Sequence, residues 1–429
     1  MFDEPGGAPL AGPEDRAPSA PPPAPDPNGD APHPSRGSLR GLDWFIFFVA
    51  DVQTGFGPFI AVYFTSQKWT QIDIGLLLTV SGLVSLLGQM PGGAAVDAAR
   101  SERLVAGLAL AAISGSALAY ATWPIFPVVL GAATLHAAAS CVLGPCIAAM
   151  SLGLVGHAAV GERFGRNARF ASIGNGLAAA AMGACGYFFS PRAVFFVTAA
   201  LLIPTLLALS RIRPMEVDPE RAHGGLPQGD TDHAPAPLPS MVRKRPLFIL
   251  AGCAMMFHLA NASMLPLMGS VVTMRSSEWA TVLIAACIVV PQLVVAAISP
   301  WVGHQAQVWG RRPFLLLAFA ALSIRGFLFA VVTDPTILVM VQVLDGLTAA
   351  ALGVMVPLMI ADLTRGTGRF NLAQGIVGTA VGIGASISPT LAGYLTDYFS
   401  SGVAFLGLAA IATAGLMGVW AFMPETRPE

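Results

Sequence analysis

The stretch WVGHQAQVWGRR, residues 301–312, joins two long apolar runs and closes on a glycine followed by two arginines. The run before it covers 279–302 and the run after it 313–333. Each is near the ~20 residues a helix needs to cross hydrocarbon. A short polar turn between two such runs reads as a loop at a membrane surface. Moving outward from it, the same alternation gives twelve spans: 44–66, 72–95, 103–123, 125–152, 170–189, 191–211, 247–271, 279–302, 313–333, 336–361, 371–397 and 400–423.

Composition agrees. The 429 residues are 55% apolar and only 11% charged, against about 25% charged in soluble domains. The chain is an integral membrane protein. Its net charge of −1 offers no basic field for nucleic acid. The five cysteines, Cys141, Cys146, Cys185, Cys253 and Cys287, all fall within apolar spans without zinc or redox spacing, so they read as small packing residues. No metal and no cofactor is expected. Lysine occurs only as Lys68 and Lys244, a bias that suits a GC-rich bacterial genome.

Residues 1–40 are rich in Pro, Ala and Gly (PPPAPDPNGDAPHP) and read as a disordered tail, without the pattern of a signal peptide. Residues 41–211 then hold six spans, 212–246 form a polar linker, 247–423 hold six more, and 424–429 are a short tail. With the N-terminal tail placed in the cytoplasm, 19 of the 23 basic residues fall on that side, and only Lys68, Arg192 and Arg275 on the other; Arg325 lies inside a span. The positive-inside rule therefore predicts both termini cytoplasmic.

The two halves echo each other. PGGAAVDAAR after the second span matches WVGHQAQVWGRR after the eighth, with Gly93 and Gly303 210 residues apart. LHAAASCVLGP in the fourth span matches LDGLTAAALGV in the tenth, setting His136 opposite Asp345. GRNARFASIGN matches GTGRFNLAQG, aligning Arg169-Phe170 with Arg369-Phe370. Two six-helix bundles in parallel repeat enclose a site at their interface.

With these loops the chain resembles the major facilitator superfamily over residues 41–425. The family signature is G-x-x-x-D-x-x-G-R-R after the second span, often repeated after the eighth. The second copy here keeps Gly303, Gly310, Arg311 and Arg312, with Gln307 at the acid position; the first keeps Gly93 and Asp97 but has Arg100, Ser101 and Glu102 where Gly-Arg-Arg would stand. The resemblance implies twelve helices, alternating access, and a gating role for Gly93, Asp97, Arg100, Gly303, Gly310, Arg311 and Arg312. Ordinary positive-inside anchoring is the alternative for the arginines. The FMPETR ending is similar to that of some sugar carriers in the superfamily.

The same resemblance makes the first, fourth, seventh and tenth spans line the central cavity. Each holds one ionisable group inside its apolar run: Asp51, His136, His258 and Asp345. A carboxylate at such depth costs about 2.5–3.5 kcal/mol on insertion scales and is a functional candidate by default. Asp51 is the foremost, because no basic residue accompanies it in its own helix or its hairpin partner; Gln53 and Pro58 stand beside it. Asp345 and Arg325 flank the turn TDPT at similar depth, so an ion pair between them is expected, static or switching. Asn261 and Gln342, with Ser140, Asn175 and Gln374, are the neutral candidates for ligand contact; Gly378 and Gly382 read as helix packing. Asp and His suit proton coupling. Drug exporters of the superfamily often carry an arginine where Ala133 stands and a Gly-Pro pair that GNGLAAAAMGACG lacks.

No GxxxxGK[ST], HExxH or GxSxG occurs, which speaks against a pump or a membrane enzyme. The expectation is a secondary transporter of a small solute in a bacterial inner membrane, proton-coupled, monomeric, with lipid as its other partner. Efflux by antiport is put first. A proton-coupled importer or facilitator is the alternative, and a sensor or lipid-handling protein is the rival class.

Overall fold

The computed structural model describes residues 34–54, 57–225, 244–275 and 280–427. Among them the chain is helical throughout, without strands. The helices are α1 (Arg36–Thr54), α2 (Gly57–Ser66), α3 (Gln71–Asp97), α4 (Glu102–Thr122), α5 (Phe126–Phe188), α6 (Pro191–Ala200), α7 (Leu202–Ser210), α8 (Pro219–Ala222), α9 (Arg245–Asn261), α10 (Met264–Arg275), α11 (Ala280–Trp309), α12 (Arg312–Val331), α13 (Pro335–Thr364), α14 (Phe370–Tyr398) and α15 (Ser401–Phe422).

Ten of the described helical stretches are long and apolar enough to cross a membrane. One is the 63-residue α5, which at ~1.5 Å per residue is far longer than a bilayer core. It holds two passes that meet at Gly156, whose φ of 68° breaks the helical path. Only glycine adopts that conformation readily. Counting α5 twice, and adding the first pass split into α1 and α2, the architecture agrees with twelve passes.

The breaks have a chemical cause. Proline has no N–H for the carbonyl four residues back. Pro58, Pro204 and Pro266 would have served Thr54, Ala200 and Ala262, and α1, α6 and α9 end at or beside those residues. The first and seventh passes, which open the two halves, are thus both discontinuous. Broken helices in corresponding places are the usual pointer to a transport site.

Buried side chains form two apolar clusters. One is centred on Phe45, Tyr63, Tyr120 and Phe195 in the first half. The other is centred on Phe257, Phe314, Phe319 and Phe370 in the second, with Phe164 of α5 reaching into it. Outside, Leu87, Leu108, Ile203, Phe327 and Trp420 are well exposed. Such a belt would be a liability in water and is the normal surface of a protein in lipid.

Three expectations need correction. Helix α1 starts at Arg36, so the segment read as tail to residue 40 ends in helix, tied down where the Glu216 carboxylate accepts from Ser35 N and Oγ, both at 2.9 Å; residues 1–33 lie outside the described residues. The region between the fourth and fifth spans is helix rather than loop. The linker is not wholly a free connector: Ile212, Val217 and Ala222 are buried, and α8 docks on α5, while 226–243 lie outside the described residues.

Candidate functional site

The halves meet along α3 against α14 and α5 against α11. Glycines permit this approach. A Cβ on Gly93 would strike the Asn371 carbonyl, and one on Gly375 the Gln89 carbonyl. A Cβ on Gly303 would strike the Gly161 carbonyl, and one on Gly165 would sit against Ser299 and Pro300. These contacts share one register: Gly93 and Gly303, Gln89 and Ser299, Asn371 and Gly161, Gly375 and Gly165 each differ by 210. The Arg169–Arg369 sequence echo, with a spacing of 200, is ten residues out of that register. It therefore does not mark corresponding contacts.

Asp97 ends α3 and is 9% exposed. Its carboxylate accepts from Asn371 N at 3.0 Å, Asn371 Nδ2 at 2.9 Å and Leu372 N at 2.8 Å. Those amides open α14, so a charge from one half caps a helix N-terminus of the other, where free N–H groups and the helix dipole both favour an anion. His304 and Glu162 cross the same interface at 2.7 Å but are exposed. We refer to this side, where the arginine-rich loops gather, as the basic end.

The second loop copy works differently. Arg311 is almost fully buried. Its Nε donates to Asp362 Oδ2 at 2.9 Å, its Nη1 to the Ala306 carbonyl at 2.8 Å and its Nη2 to Gln307 Oε1 at 3.3 Å. Glu425 accepts from Arg311 N at 2.8 Å and Arg312 N at 3.1 Å, and the Arg312 guanidinium donates to the Trp420 carbonyl. Burial pushes the Glu425 carboxyl up, but the backbone N–H groups of Arg311, Arg427, Arg312 and Thr426 outweigh it and set its pKa below the ordinary value. Gly310, with φ of 91°, turns the chain beneath that carboxylate, where a side chain would collide with it. All these partners belong to the second half. Arg100 is exposed and does not join the cross-half contacts.

The ion pair expected across the TDPT hairpin is present: Arg325, 1% exposed, donates to Asp345 Oδ1, and its guanidinium lies 5.6 Å from the Phe329 ring centre. Buried Gln342 is one turn away on α13. Gln53 Nε2 donates to the Ser140 carbonyl at 3.3 Å, joining the first pass to the fourth. His258 stacks edge-on to Phe257 at 5.5 Å, and Asn261 ends α9 with a buried Oδ1. His136 is half-buried on α5. The Asp51 side chain lies outside the described residues.

A cavity of ≈ 450 Å³ opens between the halves, within the size range of small-molecule pockets. Ile46, Phe164, Val295 and Pro357 give it an apolar wall; Asn167, Ser172, Asn175, Gln292 and Gln374 are its polar lining. Ser172 Oγ bonds both the carbonyl and the side chain of Gln292 across the interface. Of the sequence candidates, Asn175 and Gln374 line this cavity, whereas His136, His258, Asn261, Arg325, Gln342 and Asp345 do not.

Sequence reasoning missed the network beneath the cavity. Asp43, 1% exposed, binds Arg163 and Arg166, each at 2.6 Å, and Arg163 Nε donates to Asn167 Oδ1 at 2.6 Å. Asp43 sits just before the apolar run of the first span, so it reads as a surface charge until the fold brings α5 over it. Asn371 was missed because 274 residues separate it from Asp97.

A polytopic helical bundle with repeat-related interfaces around a cavity is the architecture of many membrane transporters. The chain belongs to the Major Facilitator Superfamily, which matches it over residues 43–304 and 276–429. It is 38% identical over 400 residues to an uncharacterized MFS-type transporter of Mycobacterium tuberculosis, found in the CDC 1551 and H37Rv strains, covering 90% of this chain and 93% of the relative. A stretch of 130 residues, 30% of this chain and 27% of the relative, is 27% identical to bovine major facilitator superfamily domain-containing protein 10. The crystal structure of the human organic anion transporter MFSD10 (TETRAN) superposes with a TM-score of 0.63 at 14% identity, covering 90% of this chain and all of that one.

Proposed function

We propose that this transporter moves a small solute by alternating access between two six-helix bundles, residues 41–211 and 247–423, coupled to protons. It acts as a monomer in a bacterial inner membrane with both termini in the cytoplasm, and export is the favoured direction. The observation that carries the reading is the Asp97 cap on α14, reinforced by the glycine contacts at the same end. A closure built mainly from polar contacts and bare backbone can open with little apolar unpacking beyond the α5 side chains, such as Phe164, that reach into the second cluster. The tuberculosis relatives support the bacterial membrane. The human structural neighbour is named for organic anions, but at 14% identity the likeness is one of fold, and the polar lining of the cavity here is neutral.

Asp51 is the proposed proton carrier, with Gln53, His136, His258, Asn261 and Gln342 as solute or proton contacts. The Arg325–Asp345 pair is a switch whose partners exchange during the cycle. Compounds that raise the thermal stability of the purified protein supply solutes for assay in proteoliposomes under an imposed pH gradient. Asp51→Asn abolishes gradient-driven movement while the protein still inserts and folds. Full gradient-driven movement by that variant removes Asp51 from the mechanism.

A further inference from the structure

We propose that residues 218–225 of the linker form a proton-sensitive clasp that holds the basic end shut, with the His223–Glu102 pair as its catch. The inference rests on the alternating-access reading and adds a regulator to it.

The segment binds both halves. Toward the first, Asp218 N donates to the Gly153 carbonyl of α5 at 3.2 Å, and His223 Nε2 stands 3.0 Å from Glu102 Oε1 on α4. Toward the second, Gly366 N donates to the Gly224 carbonyl at 2.6 Å and Phe370 N to the His223 carbonyl at 3.1 Å. Asn371 Nδ2 reaches the Ala222 carbonyl at 3.4 Å. Phe370 opens α14, and the following amides of Asn371 and Leu372 donate to Asp97. One helix N-terminus is therefore held by a carboxylate from α3 and by backbone carbonyls of the linker. Gly224, with φ of 80°, makes the reversal that allows this. Separating α14 from α3 must break the clasp as well as the cap.

Glu102 explains why the catch is a histidine. In the 210-residue register it stands where the second half has Arg312, so the first half carries an acid in place of a base. It is 4% exposed, and a carboxylate that deep needs a partner or a proton. His223 supplies the partner. Of the other groups near the pair, Asp97 of α3 acts on the ring, Cys146 of α5 lies near Glu102, neutral Asn371 of α14 meets the Ala222 carbonyl, and Arg221 is paired with Asp218 at 3.2 Å and faces the titratable His157 of α5.

Burial alone would lower the His223 pKa, but the Glu102 carboxylate 3.0 Å from Nε2 and the charge of Asp97 raise it above the ordinary value. A group with a higher pKa clasped than released takes up a proton on clasping. The clasp is then fully formed below the free imidazole pKa of ~6.5 and loosens as pH rises through the clasped-state pKa.

Hydrogen exchange of the full chain in nanodiscs, read by mass spectrometry between about pH 6 and about pH 9 and corrected for intrinsic rates, tests this. In the parent, protection of peptides covering 216–225 and 364–372 should fall with rising pH, by up to about tenfold per pH unit for one linked proton. His223→Arg should stay protected across the range, while His223→Gln and Glu102→Gln should be weakly protected at every pH. A flat parent profile, or a parent-like profile in His223→Gln, overturns the proposal. Exchange needs no solute, so this failure is separate from a failure of the transport reading, which the proteoliposome assay registers by itself.

Discussion

Replacing Asp97 with asparagine should open the basic end. The carboxylate accepts three N–H groups of α14 at 2.8–3.0 Å, two of them on the helix N-terminus. A hydrogen bond to a charged group is worth about 1.5–3 kcal/mol, against about 1 for a neutral one. A charge at a partly buried helix end adds up to about 2 kcal/mol. Asparagine keeps one acceptor oxygen in place and loses the charge, which also relieves the desolvation of a side chain only 9% exposed. The net loss is roughly 2–3 kcal/mol, a shift of about 30- to 150-fold in the closed-to-open ratio. The readout is a cysteine at Ala171, which lines the cavity, in a background without the five native cysteines. Labelling by a membrane-impermeant maleimide added to the basic side should accelerate in Asp97→Asn by at least an order of magnitude. If the rate stays within twofold of the parent while the cysteine labels normally after unfolding, the cap does not hold the gate and the reasoning fails.

Two further perturbations follow from the same contacts. Asp345→Asn should lower thermal stability by about 3–5 kcal/mol, the usual penalty for leaving one member of a buried pair behind, since the Arg325 guanidinium would stay buried without its partner. Arg325→Gln should cost less, because the Asp345 carboxylate it leaves behind is 21% exposed and can be solvated, whereas Arg325 is only 1% exposed; equal losses in thermal unfolding would refute this assignment. Glu425 has a depressed pKa, so its stabilisation is complete above the unfolded glutamate value of ~4.3 and is lost as pH falls through its lower folded value. Glu425→Gln should therefore be less stable at neutral pH and lack that acid-dependent component, and an unchanged acid limb would count against the cap.

The spans were legible because lipid leaves a helix few options: every backbone group must be satisfied within the segment, and apolar length alone reveals it. The Arg325–Asp345 pair was legible because both residues belong to one hairpin, where rise per residue fixes relative depth. Asp97 was legible in kind, since an acid in that loop signals a helix end, but its partner was not, because Asn371 lies 274 residues away. Asp43 was illegible for a different reason. Its neighbours in sequence are apolar on one side only, and nothing local says that Arg163 will cover it. The cavity lining failed similarly: three of its five polar residues, Asn167, Ser172 and Gln292, are neutral and unremarkable in sequence, and only the crossing of α5 with α11 gathers them.

The contact register also explains why the two loop copies have diverged. At 210 residues' distance, Gln307 is the counterpart of Asp97, and Gly161 the counterpart of Asn371. Asn371 lies in the first turn of α14, where the amides have no partner within the helix and can receive a carboxylate. Gly161 lies five residues beyond the break at Gly156, inside the continuous helix that resumes there, so its amide is already committed. An acid at position 307 would meet a spent helix and the nearby Glu162 rather than a dipole. The neutral amide instead lies against Gly161 and accepts from Arg311. The arginine, lacking that acid, turns inward to Asp362 and the Glu425 turn. One copy of the loop became the cross-half cap and the other an anchor within its own half, because only one of the two facing helices begins where the loop arrives.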